Sequence, residues 1–186
     1  TTSYVREGTS SKVHFHDPSN ILKFDGSYFV WFTRNLEDHS YAGTYFAVST
    51  DGIHWEIQGD ALPLGNQGDW DDSGNLAPYV ALADDHFYLF YTGFTNKDIS
   101  TRHLGLARAK TPWGPWVRFK DEPVLCHGQR QTDWHSSMVG DSNAVFREGK
   151  WWLYFKGKKA HEKPWETHKT CFYRLETQRG YRRLAG

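Results

Sequence analysis

Three stretches of the chain repeat one pattern of apolar and polar positions. Each stretch opens with a short polar segment, continues through an apolar run, turns tightly, and ends in a second run rich in aromatic residues. The stretches are HDPSNILKFDGSYFVWFTR at 16–34, LAPYVALADDHFYLFYTGF at 76–94 and GDSNAVFREGKWWLYFKGK at 140–158. Their turns are Asp25-Gly26, Asp84-Asp85 and Glu148-Gly149. Dipeptides of the Asp-Gly type between two β-prone runs predict tight hairpins.

A second, shorter hairpin follows each stretch, so each unit is predicted to hold four antiparallel strands. In the first unit these strands are 19–24, 28–34, 44–49 and 54–58. The units cover roughly residues 12–60, 70–121 and 133–186, and the last hairpin of the third unit, TCFYRLETQRGYRRL with Tyr181, is the weakest. No window shows the apolar period of 3.6 residues that is typical of a long amphipathic helix.

Repeated four-stranded units predict a β-propeller. We therefore expect an all-β fold of about three blades, with residues 1–186 as a single propeller domain or a fragment of one; a β-sandwich or an open stack of sheets is the alternative. Known propellers close with about four or more blades. Open blade edges present unpaired backbone groups, so we expect a homo-oligomer through these edges if the chain is the entire protein.

Composition limits the class of partner. The 22 Lys and Arg balance 22 Asp and Glu, for a net charge of +0, which argues against nucleic acid because phosphate binding needs a basic surplus. The mean hydropathy is −0.71, and no apolar stretch approaches the roughly 20 residues that span a bilayer, so no membrane partner is expected. An aromatic content of 17% argues against a disordered chain.

Cysteine usage and motif searches limit the cofactors. Cys126 and Cys171 are too few for a disulfide framework or a cysteine-based zinc site, and they either form one bridge or remain two buried thiols. The acidic cluster of Asp69, Asp71 and Asp72 is interpreted as a solvated turn in preference to a calcium site. We expect no metal and no cofactor, because no phosphate loop, Cys-x-x-Cys or His-Glu-x-x-His motif is found. A secreted or periplasmic location is expected, although TTSYVREG shows no signal peptide.

Two carboxylates occupy equivalent positions at the starts of predicted inner strands. Ala77 follows Asp17 by 60 residues, and Asp141 follows Ala77 by 64. Because the inner strands of a propeller surround one channel, Asp17 and Asp141 are expected at the same mouth of it. Carboxyl groups that face each other across a funnel are what glycoside hydrolysis requires.

The three stretches also resemble the first three blades of the five-bladed propeller glycosidases of glycoside hydrolase families 43 and 117. The resemblance implies that Asp17, in an Asp-Pro motif, is the general base and that Asp141 is the pKa modulator that orients substrate. Segment 134–157 resembles family 117, whose members cleave anhydrogalactose ends from agar oligosaccharides. Tyr79 departs from family 43, which usually has Asp after Ala-Pro.

The general acid in those families comes from the blade after the third. His161 and Glu162, in the long loop of the third unit, are the candidates for this role, although the favoured interpretation is that they are solvated loop residues. The expected function is therefore a glycoside hydrolase-like protein that acts on plant or algal oligosaccharides. The alternative is a carbohydrate-binding propeller fragment that lacks the acid. A kelch-type interaction propeller ranks last, because it would not place Asp at inner-strand starts.

Further residues near these strand starts are predicted to bind the sugar. They are His16, Trp70, Asn75, Trp134 and His135. The faces of tryptophan rings can stack on sugar rings, whereas packing between blades is the favoured interpretation for any single Trp. His16 precedes Asp17 and points either into the channel or into the blade. The cluster at 133–137 contains Ser, His and Asp but no nucleophile elbow, so a catalytic triad is discounted.

Overall fold

The computed structural model describes residues 13–36, 41–95, 102–130 and 132–159, together with the backbone of 169–175. This part of the chain forms twelve strands and no helix, and hence no helix that could cross a membrane. The strands are β1 (Val13–His16), β2 (Leu22–Phe24), β3 (Ser27–Leu36), β4 (Ala42–Ser49), β5 (Glu56–Leu62), β6 (Gly74–Ala83), β7 (His86–Phe94), β8 (His103–Ala109), β9 (Val117–Arg118), β10 (Met138–Arg147), β11 (Lys150–Lys158) and β12 (Lys169–Leu175).

The strands form three successive antiparallel blades. In the first blade, β1 and β2 both pair with β3, which pairs with β4, and β4 pairs with β5. The second blade has the order β6-β7-β8-β9 and the third the order β10-β11-β12. A single parallel pair, Ala42 with Gly74, joins the first two blades into one nine-stranded sheet.

The predicted hairpin turns are confirmed by the backbone. All six turn residues have positive φ, from 46° at Asp25 and Asp84 to 79° at Gly26. Positive φ at both central residues is the type I′ geometry, which matches the twist of the flanking strands. Asp tolerates this region better than most residues because its short side chain can bond locally.

Strand boundaries in the first blade differ from the predicted ones in two places. The expected first strand, 19–24, is reduced to β2, and β1 precedes it, because Asp17 adopts a left-handed conformation between them. The expected fourth strand, 54–58, is observed as Glu56–Leu62. The second and third strands fall where predicted. In the third unit, β12 is described, whereas Tyr181 lies outside the described residues.

Each inner strand is broken at the same place by a residue with left-handed φ. These residues are Asp17 (49°), Ala77 (50°) and Asp141 (50°). In β6 and β10 the pairing register shifts across this residue. A β-bulge of this kind bends the strand and re-aims the side chain at the bulge. The backbone therefore makes the three aligned positions structurally equivalent.

Buried threonines hold two of these bulges in place. The amide of Ala77 donates to Thr33 Oγ1 at 2.8 Å, and that of Asp141 donates to Thr92 Oγ1 at 3.0 Å. Both threonines are fully buried and belong to the preceding blade. For Ala77 the left-handed conformation has no side-chain benefit and costs about 1–2 kcal/mol. The hydrogen bond to Thr33 offsets part of this cost.

Aromatic and aliphatic side chains fill the spaces between blades. Between the first and second blades lie Phe29, Trp31, Phe46, Leu62, Val80, Leu89 and Tyr91, among others. Between the second and third lie Phe90, Leu104, Val139, Trp151, Leu153 and Phe155, among others. Burial of each such side chain stabilises the fold by about 1.5–3 kcal/mol. The aromatic runs of the sequence thus become the contacts that fix one blade on the next.

We predict that Thr33→Val lowers the free energy of unfolding by about 1–3 kcal/mol, because the buried amide of Ala77 loses its acceptor. Urea denaturation measures the change. Thr50→Val, at an exposed position, is the matched control and should leave stability nearly unchanged. Equal stability of the Thr33 and Thr50 variants would contradict the role given to the interblade hydrogen bond.

Candidate active site

A cavity of about 200 Å³ lies where the three bulges meet. Its walls are Asp17, Pro18, Ser19 and Asn20 from the first blade, Ala77, Pro78 and Tyr79 from the second, and Asp141, Ser142 and Asn143 from the third. Each blade therefore contributes its bulge residue and the residues that follow it. Asp17 and Asp141 line the same cavity, and the alanine between them leaves the second blade without a carboxylate.

Asp17 is linked through His16 to a buried amide. Nδ1 of His16 lies 2.8 Å from Oδ2 of Asp17, and Nε2 lies 3.0 Å from Oδ1 of Asn35. Asn35 is on β3 and is 7% exposed, whereas the side chains of His16 and Asp17 are 42% and 46% exposed. Both ring nitrogens are engaged, and His16 is not one of the cavity-lining residues. In the structure, His16 is a hydrogen-bond partner of Asp17.

Asp141 has a cationic partner from the neighbouring strand. Lys156, on β11, donates from Nζ to Oδ2 of Asp141 at 3.0 Å, and the two side chains are 34% and 38% exposed. Sequence reasoning missed both Lys156 and Asn35. The repeats do contain a signal for Lys156. In each blade one residue pairs with the residue that precedes the bulge, and it is Thr33 in the first blade, Thr92 in the second and Lys156 in the third.

Tyr79 adds a phenol to the cavity wall. It is partly buried and packs against the core between the second and third blades. Burial raises the pKa of its hydroxyl, so the group stays protonated at neutral pH. The residue after Ala77-Pro78 thus brings an uncharged donor to the cavity where the family 43 pattern would bring a carboxylate.

Trp70 and Trp134, two of the predicted sugar-binding residues, are not among the residues that line the cavity. Trp70 stacks on Tyr91 with ring centroids 5.6 Å apart, and Trp134 stacks on Phe155 at 5.8 Å. Each indole also lies over a glycine on the strand of its stacking partner, where a Cβ would overlap the ring. This glycine is Gly93 on β7 for Trp70 and Gly157 on β11 for Trp134. The two rings are therefore equivalent packing elements of the second and third blades.

Asn75 is also a structural residue, not a sugar ligand. It is 0% exposed, its Oδ1 accepts from the amide of Thr44 at 2.7 Å, and its Nδ2 donates to the carbonyl of Leu62 at 3.0 Å. A ligand in the cavity cannot reach a side chain that is enclosed in this way. The amide instead bonds the start of the second blade to β4 and β5 of the first.

Three histidines form a separate cluster beside the tryptophans. His103 stacks on His127 with ring centroids 4.8 Å apart, and His135 lies 4.6 Å from Trp134. Burial lowers the pKa of His135, and its Nδ1 is buried without a partner among the described residues. His135 is not a cavity-lining residue, so its predicted contact with the sugar is not supported by this geometry. His161 and Glu162 lie outside the described residues.

Within the acidic cluster, Asp71 is not solvated as the sequence suggested, whereas Asp69 is exposed. Asp71 is 0% exposed, and its Oδ2 accepts from the Arg118 guanidinium at 2.8 Å and from the Tyr91 hydroxyl at 2.9 Å. A carboxylate can be buried in this way because a cation and a donor compensate its lost hydration. No group of three His, Cys, Asp or Glu within the described ranges is placed to hold a metal ion.

Cys126 is free and exposed, so the alternative of two buried thiols is wrong for this residue. The side chain of Cys171, on β12, is outside the described part of the structure.

The sequence matches the family described as Glycosyl hydrolases family 43 over residues 11–178. This match covers most of the chain and includes both cavity carboxylates. The chain therefore belongs to glycoside hydrolase family 43, and the resemblance inferred from the three stretches is confirmed.

Solved structures agree with this assignment at the level of the fold. Zg3597, a family 117 glycoside hydrolase produced by the marine bacterium Zobellia galactanivorans, superposes with a TM-score of 0.78 at 17% identity, over 93% of this chain and 55% of that one. A thermostable family-43 glycoside hydrolase gives a TM-score of 0.66 at 20% identity, over 94% and 52% of the two chains. An endo-arabinase from Bacteroides thetaiotaomicron gives 0.56 at 21%, over 76% and 44%.

The chain thus spans about half the length of the proteins that it matches. Its all-β, propeller-type fold, predicted from the repeats, is confirmed by these superpositions.

The histidine cluster generates a prediction for stability against pH. Burial, and secondarily the charge of His127, lowers the pKa of His103 from 6.5 to about 4. Between pH 6.5 and about 4, His103 is protonated in the unfolded chain but not in the folded chain. The free energy of unfolding therefore falls as the pH drops through this range. Above 6.5 this contribution is fully present.

We expect His103→Gln to reduce the difference in unfolding free energy between pH 7 and pH 4.5, measured by urea denaturation at each pH. His14→Gln, at an exposed position on β1, is the control and should keep the wild-type difference. An unchanged pH dependence in the His103 variant would show that this imidazole is not the group responsible.

Proposed function

We propose that the chain forms the base side of a glycoside hydrolase active site, with Asp17 as the general base and Asp141 as the fixed charge that orients the sugar. The observation that carries this proposal is the convergence of both carboxylates, from equivalent bulges, on one cavity. Membership of family 43 supports the same chemistry.

Each carboxylate has one oxygen engaged and one oxygen available. Oδ2 of Asp17 contacts His16, and Oδ2 of Asp141 accepts from Lys156. The described residues provide no hydrogen-bond partner for the Oδ1 atoms. An oxygen fixed in this manner suits a base that removes a proton from water as the water attacks the anomeric carbon. The second carboxylate can accept from a sugar hydroxyl.

The size of the cavity favours the end of a sugar chain as substrate. Its volume of about 200 Å³ is below the roughly 300–1,000 Å³ of most small-molecule sites, so it suits a terminal residue better than several residues. We infer exo-acting cleavage of plant or algal oligosaccharides. The similarity in fold to a family 117 enzyme and to an endo-arabinase makes agar-derived and arabinan-derived chains the first substrates to test.

Hydrolysis also requires a proton donor for the leaving oxygen. His161 and Glu162 remain the candidates in this chain. A second function, sugar binding without turnover, is favoured by the composition of the cavity wall. Its described residues include two carboxylates and the phenol of Tyr79, but no third acid.

The test uses the full chain and a panel of arabinosides, xylosides and neoagaro-oligosaccharides. Calorimetry measures binding, and product analysis measures turnover. If the chain hydrolyses a panel member, Asp17→Asn should lower turnover by about 10²–10⁴-fold, the usual contribution of general base catalysis, with affinity changed by less than about threefold. Asp141→Asn should weaken both binding and turnover.

Asp121→Asn, at an exposed position outside this cavity, is the matched control and should behave as wild type. Binding that depends on Asp141 without any turnover would support the second function. Turnover that survives Asp17→Asn would refute the role of base, and neither binding nor turnover across the panel would refute both functions.

A further inference from the structure

The internal repeats permit a comparison of the side chains around the three bulges. The residue before the bulge is His16, Leu76 or Gly140, and the residue paired with it across the ladder is Thr33, Thr92 or Lys156. The bulge itself carries Asp17, Ala77 or Asp141. The three blades therefore serve as three versions of one local structure.

A nitrogen-bearing side chain occurs in both blades whose bulge carries a carboxylate. Asp17 has His16 beside it, and Asp141 has Lys156 across the ladder. The second blade has Ala77 at its bulge, and the same two positions there are occupied by Leu76 and Thr92. The first and third blades thus have both a carboxylate and a nitrogen-bearing partner, and the second blade has neither at these positions.

Packing explains why the two partners come from different positions. Gly140 has no room for a side chain, because a Cβ there would lie 2.9 Å from Thr92 Oγ1. A partner for Asp141 therefore cannot occupy the position that His16 has in the first blade. Lys156 instead occupies the position at which the other two blades have a threonine that accepts a hydrogen bond from the bulge amide of the next blade.

The two partners differ in what they can do with a proton. A lysine ammonium is a compact charge with three donors and no acceptor, so it favours a carboxylate that stays ionised. An imidazole nitrogen can either donate or accept a proton. The far nitrogen of His16, Nε2, donates to Oδ1 of Asn35, and this buried amide fixes the plane of the ring.

On this basis we propose that Lys156 and His16 are positioning residues with different tasks: Lys156 holds Asp141 as a fixed anion, and His16, anchored by Asn35, is the proton-exchanging partner of Asp17. The proposal rests on the function proposed above.

Nuclear magnetic resonance of the full chain tests the two pairings without any substrate. In ¹⁵N spectra of lysine ammonium groups, the Lys156 signal should be protected from exchange in the wild type and in Asp17→Asn, and should be lost in Asp141→Asn. Long-range ¹⁵N spectra should show a proton on each ring nitrogen of His16, because Nδ1 faces the carboxylate of Asp17 and Nε2 faces Oδ1 of Asn35. The pattern should change in Asp17→Asn but not in Asp141→Asn. Lys156→Arg and His16→Gln assign the two signals.

Sugar affinity and turnover then test the different tasks. Lys156→Met should weaken binding of the panel member with the highest affinity by about tenfold, the effect of losing a charged hydrogen bond at a half-exposed site. Lys156→Arg should restore binding to within about threefold. His16→Gln should lower turnover and leave affinity nearly unchanged, a separation that a general loss of structure would not produce.

The outcomes separate this inference from the proposed function. If no sugar binds but both pairings are observed, the proposed function fails and the pairings stand. A Lys156 signal that is indifferent to Asp141→Asn, or equal sugar affinities for the Met and Arg variants, would overturn the role of Lys156. A His16 signal that is indifferent to Asp17→Asn would overturn the role of His16.

Discussion

The hydrogen bond from a bulge amide to a buried threonine of the preceding blade is the constraint on which the site depends. It fixes Ala77 on Thr33 and Asp141 on Thr92. The left-handed residue turns the strand at this point and directs the bulge side chain into the space between the blades. The left-handed geometry recurs at Asp17, Ala77 and Asp141. The three bulges therefore line one cavity, and their side chains determine its chemistry.

The rest of the second and third blades is framework that the two share. Trp70, Gly93 and Tyr91 have the same arrangement as Trp134, Gly157 and Phe155. Packing of the indole against a glycine and an aromatic ring accounts for the position of each tryptophan without a ligand. The differences between blades, and hence the capacity for chemistry, lie at the bulges and their immediate partners.

The fold could be predicted from the sequence because its signals are local. Turns such as Asp25-Gly26 and the alternation within each run determine the hairpins, and the spacing of the repeats identifies Asp17, Ala77 and Asp141 as equivalent. The partners could not be predicted in the same way. Whether Asn75 faces the cavity or a neighbouring blade depends on register across a bulge. The contact of Lys156 with Asp141 depends on how β10 pairs with β11, and the sequence of either strand by itself does not reveal it.

A crystal structure with a bound oligosaccharide from the arabinan or agar series tests the central claim most directly. We predict a terminal sugar ring in the cavity, with hydroxyl or water oxygens about 2.6–3.2 Å from the carboxylates of Asp17 and Asp141. A sugar bound outside this cavity, for example in the depression lined by Leu64, Arg118 and Asp121, would contradict the assignment of the bulge carboxylates as the active site.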